Sequence, residues 1–438
     1  MNASYEPEAV VTNPARNSEQ IQEETESYAD QSESSSSDQG TSRASQFTPA
    51  STLDFTPQAV DDPQSSSTLS LRNLLPLSVE QEKMYFMLAT VDDPTMYNCT
   101  IQYELHGDLD MERFKIAVIH VAQRHESLRT AFVTQAADGM PRRAILESSQ
   151  IGWWERTSGD PLEASLEISR VHSHEYDLAK GQSMVISILH TSLQHHIMTF
   201  GYHHLIMDGV SWQLLLREFA AAYQDPDLLA PVISQYSAFC DEALMRAASR
   251  NDALERSRLL ETASPLPLFP FARVSFRQVH TCYETIQVSS QLDAGTSAKV
   301  KAVSSRAGAT SFHFHVAAIQ LLIQKVLDID KFIMGITNAN RDNPRFEKVI
   351  GHMVEVVPLR CEPQSSCTFT DLLQDTRARV LAALASPSAS QKPTSAEQMH
   401  TTECNVAVNY IAKFTQDIRF DQSTLRYLTS QLARQPYD

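Results

Sequence analysis

The sequence predicts an α/β protein built as two successive lobes, and three observations carry that reading. Apolar residues alternate between helical and strand spacing, and this alternation runs twice along the chain. A polar, helix-prone stretch from Asp241 to Leu268, broken by Pro265 and Pro267, separates the two runs. In the first run an apolar strand candidate, Ile197 to Tyr202, ends directly on His203-His204-Leu205-Ile206-Met207-Asp208-Gly209, and a helical pattern follows at once. The expected organisation is a head over residues 1–72, a first lobe over 73–240, a linker over 241–268 and a second lobe over 269–438.

The elements follow in order. Ser78 and Gln81 form a capping box ahead of Met84, Met87 and Leu88. Thr95 to Leu105 alternates Tyr97, Cys99, Ile101, Tyr103 and Leu105 on one face, as a strand does. Asp110 is placed to cap a helix that turns Phe114, Ala117, Val118, Val121 and Ala122 inward. Asp138-Gly139 reads as a hairpin turn before a strand from Arg142 to Leu146. Met184 to His190 and His195 to Tyr202 are strands joined by a short polar turn, and Val210 to Tyr223 is a helix burying Leu214, Leu215 and Phe219. In the second lobe, Tyr283 to Val288, Lys331 to Asn338 and Val354 to Leu359 read as strands. Ser311 to Leu327, with Ser311 as a cap, and Asp371 to Leu384 read as helices. His313 and His315, at the start of the first of these, fit core or capping positions better than chemistry.

Composition bounds the function. At 438 residues the chain can form two full cores. Six cysteines lie scattered without metal or disulfide spacing, which fits a reducing compartment and a cytoplasmic location. No apolar stretch approaches the roughly 20 residues needed to span a bilayer, and the polar, acidic start is no secretory signal. The net charge of -17 argues against nucleic acid as a partner. Twelve acids against Arg16 and Arg43 give residues 1–70 a net of −10, and with little aliphatic content they read as a disordered tether.

The HHLIMDG string is the candidate site. A neutral imidazole accepts a proton from an amine or hydroxyl near neutral pH, a nearby carboxylate fixes geometry, and glycine permits the sharp turn into a helix. A buried, hydrogen-bonded histidine pair and a metal site are the competing readings of the same string. No further His, Cys or Glu cluster at ligand spacing stands nearby, and no Gly-rich loop for phosphate precedes the helix.

Other strings keep the motif company in a fixed order. They are Leu77-Ser78-Val79-Glu80-Gln81-Glu82-Lys83-Met84-Tyr85-Phe86, Arg124-His125-Glu126-Ser127-Leu128-Arg129-Thr130-Ala131-Phe132, Leu268-Phe269-Pro270-Phe271-Ala272-Arg273, Asn338-Ala339-Asn340-Arg341 and Ile350-Gly351-His352-Met353-Val354-Glu355-Val356-Val357-Pro358-Leu359-Arg360. From about Leu75 to its last residue the chain resembles the condensation domains of nonribosomal peptide synthetases, most closely those of fungal polyketide–peptide hybrid synthetases. The resemblance implies two lobes of chloramphenicol-acetyltransferase-like fold facing each other across a V-shaped cleft. It implies amide formation between an acyl or peptidyl thioester and the amine of an amino acid, both borne on phosphopantetheine arms. The domain then binds no cofactor or metal itself, and its partners are donor and acceptor carrier proteins and an adenylation domain, with neither nucleic acid nor membrane. A thioester is already activated, so proximity, orientation and proton management suffice.

Within that reading His204 meets the attacking amine, as general base or by positioning it. Backbone N–H groups near Gly209 stabilise the oxyanion. Asp208 is structural and pairs with Arg341, His203 supports the loop, and Arg124 and Arg129 stabilise the fold. The chain departs from the family pattern at Glu355, where asparagine is usual, at Lys83, where arginine is usual, and at Ser386 to Gln391, where a histidine and a Pro-Phe pair are common. Its ending, Arg434 to Asp438, resembles the start of a strand that continues, with roughly 50 family residues beyond it (a domain-size estimate). An inactive or fragmentary module that keeps only carrier docking, and ester formation onto an alcohol, stand as alternatives.

Overall fold

The computed structural model describes residues 74–135, 138–160, 162–247, 266–272, 275, 283–362, 368–385, 404–411 and 417–434. The expected tether over 1–72, most of the linker and the Ser386 to Gln391 departure lie outside these residues. Twelve strands and eight helices are seen among them. The strands are β1 (Leu75–Pro76), β2 (Asn98–His106), β3 (Thr130–Thr134), β4 (Pro141–Ile145), β5 (Gly152–Thr157), β6 (Met184–Ser192), β7 (His195–His203), β8 (Phe332–Asn338), β9 (Glu355–Cys361), β10 (Ala407–Val408), β11 (Ile418–Phe420) and β12 (Ser423–Gln431). The helices are α1 (Val79–Leu88), α2 (Met111–Arg124), α3 (Leu162–His172), α4 (Gly209–Gln224), α5 (Tyr236–Ala247), α6 (Ala294–Arg306), α7 (Ser311–Leu327) and α8 (Phe369–Ala385).

A six-stranded sheet, in the order β11-β12-β2-β7-β6-β5, holds the first core. Its pairs are antiparallel except β5 with β6. The near-continuous apolar run of β7 is explained by cover on both faces. On one face lies α3, whose Ala164 and His172 carbonyls accept from the Gln102 and Asn98 side-chain amides. On the other, α2 and α4 cross with Phe114 edge-on to Phe219, and the Trp212 indole N–H donates to the Tyr103 hydroxyl at 2.9 Å. Gly201 in β7 has no room for a side chain, since a Cβ there would collide with Val171 of α3 and with the Tyr176 hydroxyl. The second sheet, β10-β8-β9, packs α7 and α8 through Val316, Ile323 and Val380. A small sheet, β1-β4-β3, stands beside the first.

Local signals were read correctly where they were complete. The Ser78–Gln81 capping box and the Asp110 cap are both formed, and β6 and β7 pair antiparallel as a hairpin, with a register shift between His190 and Ser192 next to the turn. Three expectations need correction. Tyr283 to Val288 is irregular, with Ile286 90% and Val288 87% exposed; β-branched residues make a strand only beside a partner edge, and no described strand pairs with them. Thr310, not Ser311, caps α7, because Thr310 accepts from the His313 N–H while the His313 ring accepts from the Thr310 N–H. Finally, residues 269–438 do not all lie in the second lobe. Strands β11 and β12 return to the first sheet, where Thr424 to Gln431 pair antiparallel with His106 to Thr100 of β2. That edge of β2 otherwise presents unpaired N–H and C=O groups, and β12 satisfies them.

Candidate active site

Strand β7 delivers its last residue, His203, against β2, and the chain then leaves the sheet. The His203 N–H donates to the Ser183 carbonyl and the His204 N–H to the Tyr97 carbonyl at 2.8 Å. The turn is held by the His203 ring, whose Nδ1 accepts from the Leu205 N–H at 3.2 Å. Gln81 of α1 donates to the Leu205 carbonyl at 2.7 Å. His203 is buried between Tyr97 and Tyr176, and burial, with His204 and His352 nearby, pushes its pKa down to about 3. It is a neutral histidine that holds the turn.

Asp208 caps α4, accepting from the Ser211 N–H at 2.7 Å. Its other oxygen accepts from the Met353 N–H at 3.1 Å, and Arg341 Nη2 lies 3.2 Å from Oδ1. Burial raises the Asp208 pKa, but Arg341, the Ser211 and Met353 N–H groups and His352 outweigh it and hold the carboxyl below its ordinary value. Arg341 also donates through Nη1 to the carbonyls of Glu347 and Val349. The sequence-predicted pair of Asp208 and Arg341 is therefore a buried junction between the two halves of the chain.

The junction clamps one segment, Ile350 to Met353. The Ile350 carbonyl accepts from the Ser127 hydroxyl at 2.6 Å, and the His352 carbonyl accepts from the Tyr236 hydroxyl at 2.7 Å. The Gly351 carbonyl accepts from the Ser211 hydroxyl at 2.8 Å, while the same hydroxyl accepts from the Gly351 N–H and from Arg341. Glycine is required at 351, where a Cβ would run into the Tyr236 ring. The clamp sets the His352 ring perpendicular to that of His204, with centroids 4.8 Å apart and the two Nδ1 atoms at 3.2 Å. Sequence reasoning quoted the His352 string but gave that residue no role, and it overlooked Ser127, Ser211 and Tyr236. Their signal is weak, since each acts through a contact more than 100 residues away in the chain.

His204 is half-buried. Its Nδ1 lies 2.9 Å from the Met207 carbonyl, and a carbonyl only accepts, so the ring carries its proton on Nδ1 and a lone pair on Nε2. Burial lowers its pKa, with the Asp208 charge acting the other way. The ring is thus a neutral base at pH 7, with one nitrogen anchored and the other available. Gly209 starts α4, and the space where its side chain would project is open.

The remaining predicted residues are placed as follows. Arg124 donates to the Ala230 carbonyl and Arg129 to the Leu146 carbonyl. Lys83 pairs with Glu80 along α1 at 3.4 Å. Glu355 accepts from the Asn338 amide at 3.1 Å, and it lines a pocket together with Ser78, Glu80, Asn340 and His352. Away from this site, Glu104, His106 and His195 bring three ligand atoms within 4.8 Å of one another and could hold a divalent cation. They gather where β7 begins, opposite its His203 end. Cys99, Cys240, Cys361 and Cys404 are buried. Among the described residues no helix is long and apolar enough to cross a membrane.

Comparison with known proteins gives a consistent result. The family model described as the condensation domain matches residues 72–389. The PKS-NRPS hybrid synthetase psoA of Aspergillus fumigatus is 34% identical over 321 residues, which cover 71% of this chain and 8% of that protein. The hybrid PKS-NRPS synthetase apdA of Emericella nidulans is 29% identical over 376 residues, covering 83% of this chain and 10% of that protein. The chain thus spans about a tenth of the length of these curated relatives. Among solved structures, the condensation domain of the Monacolin K polyketide synthase MokA aligns with a TM-score of 0.67 at 18% identity, covering 84% of this chain and 88% of that one. SgcC5 of Streptomyces globisporus aligns at 0.63 and 18%, covering 82% and 88%. At such identities these two alignments speak for the fold.

Proposed function

The chain belongs to the condensation-domain family, and on that premise we propose that it joins an acyl or peptidyl thioester to the amine of an amino acid, forming an amide in natural-product synthesis. Both substrates arrive on phosphopantetheine arms of partner carrier domains, with an adenylation domain supplying the amino acid and the cytoplasm as the setting. One observation carries the reading. The His204 ring, fixed through Nδ1 on Met207, keeps Nε2 unprotonated at the point where β7, α4 and the Ile350 to Met353 clamp converge.

The steps follow from that geometry. The amine nitrogen attacks the thioester carbonyl, and His204 Nε2 takes the proton that the nitrogen must lose or holds it in place as charge develops. The carbonyl oxygen becomes an oxyanion, and the N–H groups beside Gly209 at the start of α4 are the proposed donors to it. Collapse of the intermediate breaks the C–S bond and leaves the donor arm as a thiol, which recovers the proton. Asp208 and Arg341 touch neither substrate; they hold the two halves around the reaction. His203 keeps the turn.

The test is reconstitution. The full chain is mixed with an acyl carrier and an aminoacyl carrier, and amide product on the acceptor arm is followed by mass spectrometry. Amide formed by the parent and lost in His204→Ala is the expected result. A parent that binds both carriers without transferring the acyl group would favour the docking-module reading, and an ester product with an alcohol acceptor would change the acceptor class.

A further inference from the structure

We infer that His352 is a positioning residue for His204, acting as a neutral imidazole acceptor that holds the proton of His204 on Nδ1 and leaves Nε2 to face the substrate. The inference rests on the reading of His204 as the proton-handling residue, and it assigns a role that sequence reasoning left empty.

The geometry argues it. The His204 Nδ1 proton faces the Met207 carbonyl at 2.9 Å and His352 Nδ1 at 3.2 Å, and the ring also has a hydrogen bond to the backbone of His204 itself. With that proton committed to His204, His352 Nδ1 must offer a lone pair and carry its own proton on Nε2. His352 is buried, and burial first, then the neighbouring His204, pushes its pKa down to about 4 despite Asp208 and Glu80. It therefore stays neutral where the protein works. Other charged or titratable groups at the pair are Arg341, which is paired with Asp208, His203, which is neutral at the strand end, and Glu355 and Arg246, which line the same pocket as His352, with Glu355 accepting from Asn338.

In hydrolytic triads the base is oriented by a third group, often a carboxylate. Here a carbonyl and a second imidazole share that task, so the orienting groups add no negative charge at His204 Nδ1. The clamp explains why such an acceptor can be trusted to stay in place. Ser127, Ser211, Tyr236 and Arg341 fix the backbone of residues 350–353 or the residues beside it from four places in the chain. When His204 gains a proton at Nε2, its Nδ1–H bonds become charge-assisted and shorten the path to the protonated state.

Two variants of the full chain test this, His352→Leu, which keeps apolar volume but removes the acceptor, and His352→Asn, whose amide oxygen can replace it. Histidine-selective ¹⁵N spectra of the ring nitrogens, with His204→Gln to assign the signal, read the tautomer without turnover. The parent and His352→Asn should show His204 protonated on Nδ1 throughout, and His352→Leu, left with the Met207 carbonyl as its acceptor, a detectable fraction protonated on Nε2 instead. In carrier assays His352→Leu should lose about tenfold in kcat, the scale of one lost hydrogen bond, with KM little changed. The acidic limb of its kcat/KM profile should move to lower pH, and His352→Asn should recover both. Parent-like ring signals in His352→Leu would overturn the inference. If His352→Leu fails to fold, a parent tautomer in His352→Asn supports it and an Nε2-protonated ring defeats it. A parent that makes no amide sinks the proposed function while the ring signals still decide this one.

Discussion

Asp208 Oδ1 and Arg341 Nη2 meet at 3.2 Å although 133 residues separate them, and both side chains are almost wholly buried. The pair is not left to Coulomb attraction alone. Asp208 accepts two backbone N–H groups and Arg341 donates to backbone carbonyls, so most of the desolvated capacity of both is used. The consequence is a fixed junction four residues along the chain from His204.

Removing one partner strands the other. Asp208→Ala should destabilise the fold by about 3–5 kcal/mol, the range for breaking a buried ion pair. His204→Ala, whose ring is only half-buried, should melt close to the parent. Thermal melts of the two variants side by side check this. An Asp208→Ala protein that melts like the parent but has lost activity would transfer Asp208 from the scaffold to the chemistry.

Loss of His204 should act on rate instead. General-base contributions run about 10²–10⁴-fold, so His204→Ala should lose at least two orders of magnitude in amide formation while carrier binding holds. Single-turnover assays with preloaded carriers separate the two effects, and equal rates for variant and parent would remove His204 from the mechanism.

The Ser211 hydroxyl makes three of the contacts that join the halves, to the Gly351 carbonyl, the Gly351 N–H and Arg341. Ser211→Ala leaves a buried N–H and part of a guanidinium without that acceptor, at a cost of roughly 1–3 kcal/mol. Denaturant titration should record this as a lower midpoint at an unchanged slope. A midpoint equal to the parent's would mean that the clamp closes without it.

How much of this was legible follows from the range of each signal. The caps at Ser78 and Asp110 and the β6–β7 hairpin need only residues a few positions apart, and they were read correctly. The tie of Asp208 to Arg341 was reached only through family resemblance, since nothing local links the two strings. His352 stayed silent because a histidine after glycine means nothing until Ser211 and Tyr236 carry it against His204. The assignment of β12 failed for a related reason. Its alternation fits any half-buried strand, and its partner, from Thr100 to His106, lies more than 300 residues earlier.

Acid should unfold the protein earlier than its carboxylates alone would. Asp208 has its folded pKa depressed, so its contribution is present above the ordinary carboxylate value and fades as pH falls through the lower folded one. Three histidines, His203 and His352 buried and His172 half-buried, act at higher pH. His203 falls to about 3, and His352 and His172 to about 4, so between there and pH 6.5 the unfolded chain binds protons that the folded chain refuses. Stability therefore declines as pH drops from about 6.5 toward 4, and each of the buried rings His203 and His352, protonated only in the unfolded chain, removes about 1.4 kcal/mol for every further pH unit, the half-buried and better solvated His172 less. Urea midpoints taken from pH 7.5 to 4.5 should fall steadily, and less steeply in His203→Phe. A flat profile over that window would mean that the three rings do not stay neutral in the folded state.

The last prediction concerns the returning strand. Strand β12 covers the β2 edge over seven paired positions and seats Leu425 in the first core, with Phe420 of β11 packed edge-on to Phe114 and Tyr223. Deleting residues 417–434 uncovers a long edge next to the strand that carries the site, and an open edge recruits other chains. The deletion should yield aggregates or a protein melting well below the parent, and the point variant Leu425→Asp should destabilise it by burying an unpaired carboxylate. Size-exclusion chromatography with light scattering, followed by melts, reads both. A monomeric deletion product with the parent melting temperature would show that β2 needs no partner on that side, and the first lobe would then stand on residues 74–247 alone.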